Sequence, residues 1–214
     1  MFDGLLFDLD GTLWDSVDAI CTSWNQMLAR RAPELAGSVT RQRLLPCMGM
    51  LLPDIAARLL PQADPEQLRP LLRELLEVEN RYVAVHGGVL YPKVPETLAQ
   101  LSARFPLFIV SNCQAGYIEA FFQAHGLGKY FTDYENPGRT GLDKAGNIAL
   151  VVRRHGLKRP LYIGDTQGDC DAAARAGVPF LHAAYGFGTV TSDVPAVHAF
   201  ADIPAAVAAL EGPP

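Results

Sequence analysis

The chain has 214 residues, enough for one sizeable core or for a core carrying a smaller insertion. Hydrophobic residues make up 49% and charged residues 19%, which excludes a disordered chain. With 18 basic against 23 acidic side chains the formal net charge is −5, so no global positive field favours nucleic acid or an anionic membrane. An anionic ligand would need local positive charge.

In chain order, residues 2–9 (Phe-Asp-Gly-Leu-Leu-Phe-Asp-Leu) read as a buried strand. The period of two puts Asp8 and Asp10 on one face, followed at once by the turn-forming Gly11 and by Thr12. Like charges that close repel unless something neutralises them. Val17, Ile20, Trp24, Met27 and Leu28 follow helical spacing, with Asp15 or Ser16 placed to cap the start. Leu52, Ile55, Ala56 and Leu59 repeat the pattern. So do Leu68, Leu71, Leu72, Leu75 and Leu76, in a longer helix beginning near Pro65 and running to about Arg81. Residues 15–86 therefore read as entirely helical, with a loop over 46–49.

Gly87 and Gly88 with Pro92 mark a return hinge, after which strands and helices alternate. Helices are expected over 94–105, 114–124, 143–155 and 169–176, and strands over 106–110, 160–163 and 178–183. Such alternation predicts an α/β fold, a parallel sheet wrapped by helices, with its ligand crevice at the carboxyl ends of the strands. About 100 residues separate Asp10 from Ser111, whereas a βαβ unit needs roughly 30. Once the helix over 94–105 is subtracted, some 70 residues are best housed as a helical insertion beside Asp8 and Asp10.

Cys21, Cys47, Cys113 and Cys170 lie far apart without a C-x-x-C pair and read as free thiols. Asp3 and Asp8 interrupt the apolar N-terminal stretch, which argues against a signal peptide, and no run approaches the ~20 apolar residues of a membrane span. A cytoplasmic, reducing location is expected.

Each strand delivers chemistry to the crevice. The first gives Asp8 and Asp10, the 106–110 strand gives Ser111 and Asn112, and the 160–163 strand gives Gly164, Asp165 and Thr166, with Asp169 four residues beyond Asp165. Singly these are ordinary turn and cap residues. Jointly, three crowded acids would raise one another's pKa unless a divalent cation held them. Hard oxygen ligands without His or Cys suggest Mg²⁺, which takes a few carboxylates, water and a substrate phosphate. The five dispersed histidines give no zinc pattern. There is no G-x-x-x-x-G-K-[ST] loop, and Gly186-Phe187-Gly188 lacks the third glycine of a dinucleotide fingerprint. A phosphate also needs a cation, for which Lys144 is the candidate and Arg139 its rival.

Asp8-Leu9-Asp10-Gly11-Thr12-Leu13, Ser111-Asn112, Lys144 and Gly164-Asp165-Thr166-Gln167-Gly168-Asp169 occur in the order and rough spacing of the four motifs of the haloacid dehalogenase (HAD) superfamily. The chain resembles that superfamily over nearly its whole length, and most closely its phosphoglycolate-phosphatase-like group. The resemblance implies a Rossmann-like core (1–14 and 87–214) with a small helical cap (15–86). It implies that Asp8 is a nucleophile forming an aspartyl phosphate and that Asp10 is the acid/base. It further implies Mg²⁺ held by Asp8, the Asp10 backbone carbonyl and Asp165, a supporting Asp169, and a phosphate held by Ser111, Asn112 and Lys144.

Two positions depart from common patterns. Ala145 follows Lys144 where this group often has proline, and Asp10 stands where true dehalogenases lack a second aspartate. The implied activity is hydrolysis of a small phosphate monoester, phosphoglycolate-like or a sugar phosphate, with no nucleic-acid or membrane partner. A phosphomutase of the same superfamily is the enzymatic alternative, and a non-catalytic phosphoacceptor or regulatory protein is the alternative of another class. Trp14, Arg41, Arg43, the 46–50 loop and His86 are the candidate substrate selectors.

Overall fold

The computed structural model describes residues 1–61, 63 and 65–212. In chain order the elements are β1 (Gly4–Phe7), β2 (Trp14–Asp15), α1 (Val17–Arg31), α2 (Arg41–Leu44), α3 (Leu52–Leu59), α4 (Pro65–His86), β3 (Val89–Leu90), α5 (Val94–Ser102), β4 (Leu107–Val110), α6 (Tyr117–His125), β5 (Asp133–Glu135), α7 (Pro137–Thr140), α8 (Lys144–Arg154), β6 (Pro160–Gly164), α9 (Gln167–Arg175), β7 (Phe180–Ala183), β8 (Ala196–Val197) and α10 (Ile203–Glu211).

Among the described residues, six strands form one sheet in the order β5-β4-β1-β6-β7-β8, every pair parallel. This is the expected Rossmann-like α/β architecture. Strand β1 is central and wholly buried, and its alternation feeds two cores. Leu5 and Phe7 join Leu107, Ile109, Leu161 and Ile163 on one face. Leu6 joins Phe108, Val110 and Tyr162 on the other, where the buried sides of α8 and α9 supply Ile148, Val151, Ala172 and Ala173. Both faces are covered, which is why these strands read as continuous apolar runs rather than alternating ones.

The segment between β1 and β4 is mainly helical, as its length predicts, with corrections in detail. Asp15 lies in a two-residue strand, not a helix: β2 pairs antiparallel with β3, through Trp14↔Leu90 and Asp15↔Val89, and ties the segment's entry to its exit. Helix α1 begins with the Asp15 carboxylate accepting from the Val17 amide at 3.0 Å, while Ser16 turns its hydroxyl elsewhere. The predicted stripe of α1 is buried as expected. Pro46, expected in a loop, sits in a single 3₁₀ turn over Leu45–Cys47. The longest helix runs to His86 rather than Arg81, because Val83 is buried and the left-handed Gly87 (φ 68°) ends it. The side chains of Leu52 and Leu68, both assigned to apolar stripes, lie outside the described residues.

Helix α4 packs on α1 and on α6. Trp24, Met27, Leu75 and Val83 thereby join the same apolar cluster as Leu5 and Phe7. Strands β5 and β8 and helix α10 were not expected from the sequence. The four cysteines are free, and no helix of the described residues is long and apolar enough to cross a membrane.

Candidate active site

Strand β1 ends at Phe7, which is level with Ile109 of β4 and Ile163 of β6. The residues just beyond the ends of these strands, Asp8, Ser111 and Asp165, therefore reach the same edge of the sheet. Asp8 is held there by its amide, which donates to the Ile163 carbonyl at 2.8 Å. Ser111 is placed by its amide, donating to Glu135 at 3.3 Å, and Asp165 follows Gly164 directly.

Asp8 and Asp10 part company, contrary to the one-face expectation. The chain leaves the strand after Phe7 and turns through Gly11 (φ 82°), so the period of two no longer applies. Asp8 accepts from Lys144 Nζ at 3.0 Å. Asp10 Oδ1 instead accepts from Ser16 Oγ at 2.5 Å and from the Tyr117 hydroxyl at 3.0 Å, on the side of the inserted helices. Burial pushes the Asp10 carboxyl up to about 6.

Lys144 is buried at the first turn of α8, where Asp143 caps the helix by accepting from the Gly146 amide at 2.8 Å. Its ammonium bridges Asp8 and Asp169, reaching Asp169 Oδ1 at 2.5 Å. Burial opposes the charge, but the Asp169 and Asp8 carboxylates outweigh it and hold Lys144 protonated well above the ordinary lysine range. Arg139, the rival cation, lies over the Tyr134 ring at 4.5 Å and donates to the Tyr134 carbonyl at 2.9 Å, outside this cluster. Asp169 is aimed by a capping box at the start of α9. Its Oδ2 accepts from the Thr166 amide at 3.0 Å and hydroxyl at 2.7 Å, which leaves Oδ1 for the lysine.

Asp165 Oδ2 accepts from the amides of Phe187 at 2.8 Å and Gly188 at 3.2 Å, a use of that glycine pair the sequence did not disclose. The contact needs glycine: a Cβ on Gly186 would lie 2.3 Å from the Gly11 carbonyl oxygen and 2.4 Å from Asp165 Cβ. Asp165 Oδ1, by contrast, is buried with no hydrogen-bond partner.

Ligand atoms of Asp8, Asp165 and Asp169 lie within 4.8 Å of one another. Burial first, and then the neighbouring aspartates, push Asp8 up to about 7 and Asp165 up to about 8. An orphaned carboxylate oxygen in a buried, all-oxygen donor set, with Lys144 as its one cationic contact among the described residues, fits a hard divalent ion. Asp169 has both oxygens occupied by protein, so Asp8 and Asp165 are the better-placed ligands. The Asp10 carboxylate lies outside this group.

Between the inserted helices and the strand ends is a narrow cleft beside Asp10. Asp10, Tyr117, Asn112, Trp24, Glu79 and Gln114 line it. Of the expected selectors only the 46–50 loop contributes, through Met48, Gly49 and Met50. Trp14 packs its ring against Tyr117, Phe121 and His125. Arg41 pairs with Asp15 and Asp18, Arg43 donates to the carbonyls of Ser38 and Leu59, and His86 lies against the Tyr82 ring. None of these four side chains lines the cleft.

Glu79 was missed. It is buried on α4, with Oε2 accepting from Trp24 Nε1 and Oε1 accepting from Gln114 Nε2 at 2.8 Å. The signal was an acid on the buried register of the leucine stripe, four residues beyond Leu75 and four before Val83. Burial pushes its carboxyl up to about 7. The folded chain therefore keeps a proton that the unfolded chain, with an ordinary glutamate near 4.5, gives up. Its contribution is greatest below about pH 4.5 and falls as pH rises through about 7, by at most about 3 kcal/mol. Urea unfolding at pH 5 and pH 8 should show a smaller pH-dependent loss in Glu79→Gln than in the parent; equal losses would refute the assignment.

The family model for haloacid dehalogenase-like hydrolases matches residues 5–183. A Vibrio vulnificus protein named phosphoglycolate phosphatase is 32% identical over 194 residues, covering 86% of this chain and 84% of its own. An Escherichia coli K12 protein of the same name is 28% identical over 215 residues, covering 86% of this chain and 82% of its own. The crystal structure of a predicted phosphoglycolate phosphatase from Haemophilus somnus superposes with a TM-score of 0.83 at 23% identity, covering 96% of this chain and 98% of that one. With a family model spanning most of its length and a relative above 30% identity, the chain belongs to the haloacid dehalogenase-like hydrolases.

Proposed function

We propose that this hydrolase is a Mg²⁺-dependent phosphatase that cleaves a small phosphate monoester through an aspartyl phosphate on Asp8. The observation that carries the reading is the buried Asp8 carboxylate, held by Lys144 beside the orphaned Asp165 Oδ1 at the carboxyl edge of the sheet. The names of the 28–32% identical relatives support the same reaction class.

In the first half-reaction an Asp8 oxygen bonds to phosphorus as the ester oxygen departs. Asp10 gives that oxygen its proton. A carboxyl near 6 is suited to this, since it carries a proton part of the time at neutral pH and loses it readily. The Ser16 and Tyr117 hydroxyls hold Asp10 on the leaving-group side of Asp8. In the second half-reaction the Asp10 carboxylate takes a proton from water, whose oxygen attacks phosphorus, and the Asp8 carboxylate is released with inorganic phosphate. The Ser111 hydroxyl, the Asn112 backbone amide and Lys144 hold the phosphoryl oxygens. Asp8, the Asp10 backbone carbonyl and Asp165 would hold Mg²⁺, which would supply positive charge against the transferring group. Residues 15–86 act as the cap over a core of 1–14 and 87–214, and the free thiols suit a reducing, cytoplasmic setting.

Phosphate release from p-nitrophenyl phosphate should vanish in excess chelator and return with Mg²⁺. Asp165→Asn should raise the Mg²⁺ concentration needed at least tenfold while the protein still unfolds cooperatively. Undiminished turnover in excess chelator would refute the metal requirement.

A further inference from the structure

Resting on the phosphatase reading, we propose that the leaving group of the ester this chain hydrolyses donates hydrogen bonds and carries no negative charge. A carboxylated ester such as 2-phosphoglycolate is then a poor substrate, in contrast to the names of the relatives. The cleft beside Asp10 is where a leaving group protonated by Asp10 must lie, and its polar side chains present acceptors. At pH 8 Glu79 is a carboxylate that can only accept, and its two oxygens are oriented by the Trp24 indole N–H and Gln114 Nε2. Asn112 donates its Nδ2 to the Gly49 carbonyl at 3.0 Å, which fixes the amide's orientation. Its Oδ1 is left buried without a partner. The Tyr117 hydroxyl is spent on Asp10.

No basic side chain lines the cleft among the described residues. Among the arginines of the inserted helices, Arg41 is engaged with Asp15 and Asp18, Arg43 with backbone carbonyls and Arg81 beside Glu77, while Arg58, on α3 near Cys47, does not line the cleft. Lys144 is shared between Asp8 and Asp169 on the phosphoryl side. The remaining wall is apolar, with Ile20, Met48, Met50 and Ile55. A carboxylate brought here would lose its water beside Asp10 and Glu79 with no counter-charge, whereas a hydroxyl or ammonium would satisfy Glu79 and the Asn112 oxygen.

The test is kcat/KM with saturating Mg²⁺ at pH 8 for four probes: p-nitrophenyl phosphate, 2-phosphoglycolate, 2-hydroxyethyl phosphate and phosphoethanolamine. The second and third differ only in replacing a carboxylate by CH₂OH. 2-Hydroxyethyl phosphate or phosphoethanolamine should exceed 2-phosphoglycolate at least tenfold, and both Glu79→Gln and Met50→Arg should narrow that ratio. If 2-phosphoglycolate matches or exceeds both neutral and cationic esters while p-nitrophenyl phosphate is turned over, the inference falls and the phosphatase reading stands. If no ester is turned over, p-nitrophenyl phosphate included, the phosphatase reading falls and the inference with it. A wild-type ratio as expected that neither variant changes overturns the assignment of selectivity to this cleft.

Discussion

Asp8→Asn is expected to abolish turnover of every phosphate ester and Asp10→Asn to stall the enzyme half-way, because one carboxylate bonds to phosphorus and the other moves protons. The geometry separates the two roles: Asp8 faces Lys144 while Asp10 faces Ser16 and Tyr117. Asp10→Asn keeps the nucleophile and its own backbone carbonyl but cannot protonate an alcohol or deprotonate water. With p-nitrophenyl phosphate, whose leaving group needs little protonation, phosphorylation should persist. Loss of general base catalysis, typically worth ~10² to 10⁴-fold, should then slow release of phosphate. Stopped-flow absorbance should show a nitrophenol burst near one equivalent followed by a slow steady state. Steady turnover at the parent rate without a burst would contradict the division of labour.

Lys144→Ala is expected to destabilise the metal-free fold strongly. The ammonium is buried and bridges Asp8 and Asp169, two carboxylates with little access to water. Removing one partner of a buried pair leaves uncompensated charge and costs about 3–5 kcal/mol. Lys144 also lowers the pKa of Asp8, which burial already raises to about 7, so its loss drives that carboxyl further up. At pH 5 Asp8 is then protonated and part of the penalty disappears. Urea unfolding in chelator should give a larger loss at pH 8 than at pH 5. A loss under about 1 kcal/mol at pH 8 would mean that Lys144 does not hold these carboxylates.

The site was legible because its residues directly follow buried apolar runs, and parallel strands in register must deliver their next residues to one edge. Leu5 and Phe7 on one face with Leu6 on the other make β1 readable as fully buried. The divergence of Asp8 from Asp10 was not legible, because period-two reasoning holds only while the chain is extended, and β1 stops at Phe7. Strand β5 escaped notice because Asp133-Tyr134-Glu135 offers no apolar run. Arg154 makes it tolerable at the sheet edge, reaching Asp133 at 2.7 Å and Glu135 at 2.5 Å. The β2–β3 ribbon is two residues long on each side, too short for any periodicity.

Of the candidate substrate selectors, the 46–50 loop lines the cleft and the others do not. Exposed-looking arginines and aromatic residues attract functional interpretation, yet Arg41, Arg43 and Trp14 are consumed by ion pairs, carbonyls and ring packing. Glu79 sits within a leucine stripe and looks like a helix-surface acid until its register is followed.

The central claim is that phosphorus becomes bonded to Asp8, and peptide mapping by mass spectrometry of Asp10→Asn quenched in acid during p-nitrophenyl phosphate turnover tests it most directly. The account predicts one phosphoryl group, acid-stable and labile to hydroxylamine, on the peptide containing Asp8, and none in a double variant that also carries Asp8→Asn. A phosphoryl group on any other residue, or turnover by the double variant, would contradict it.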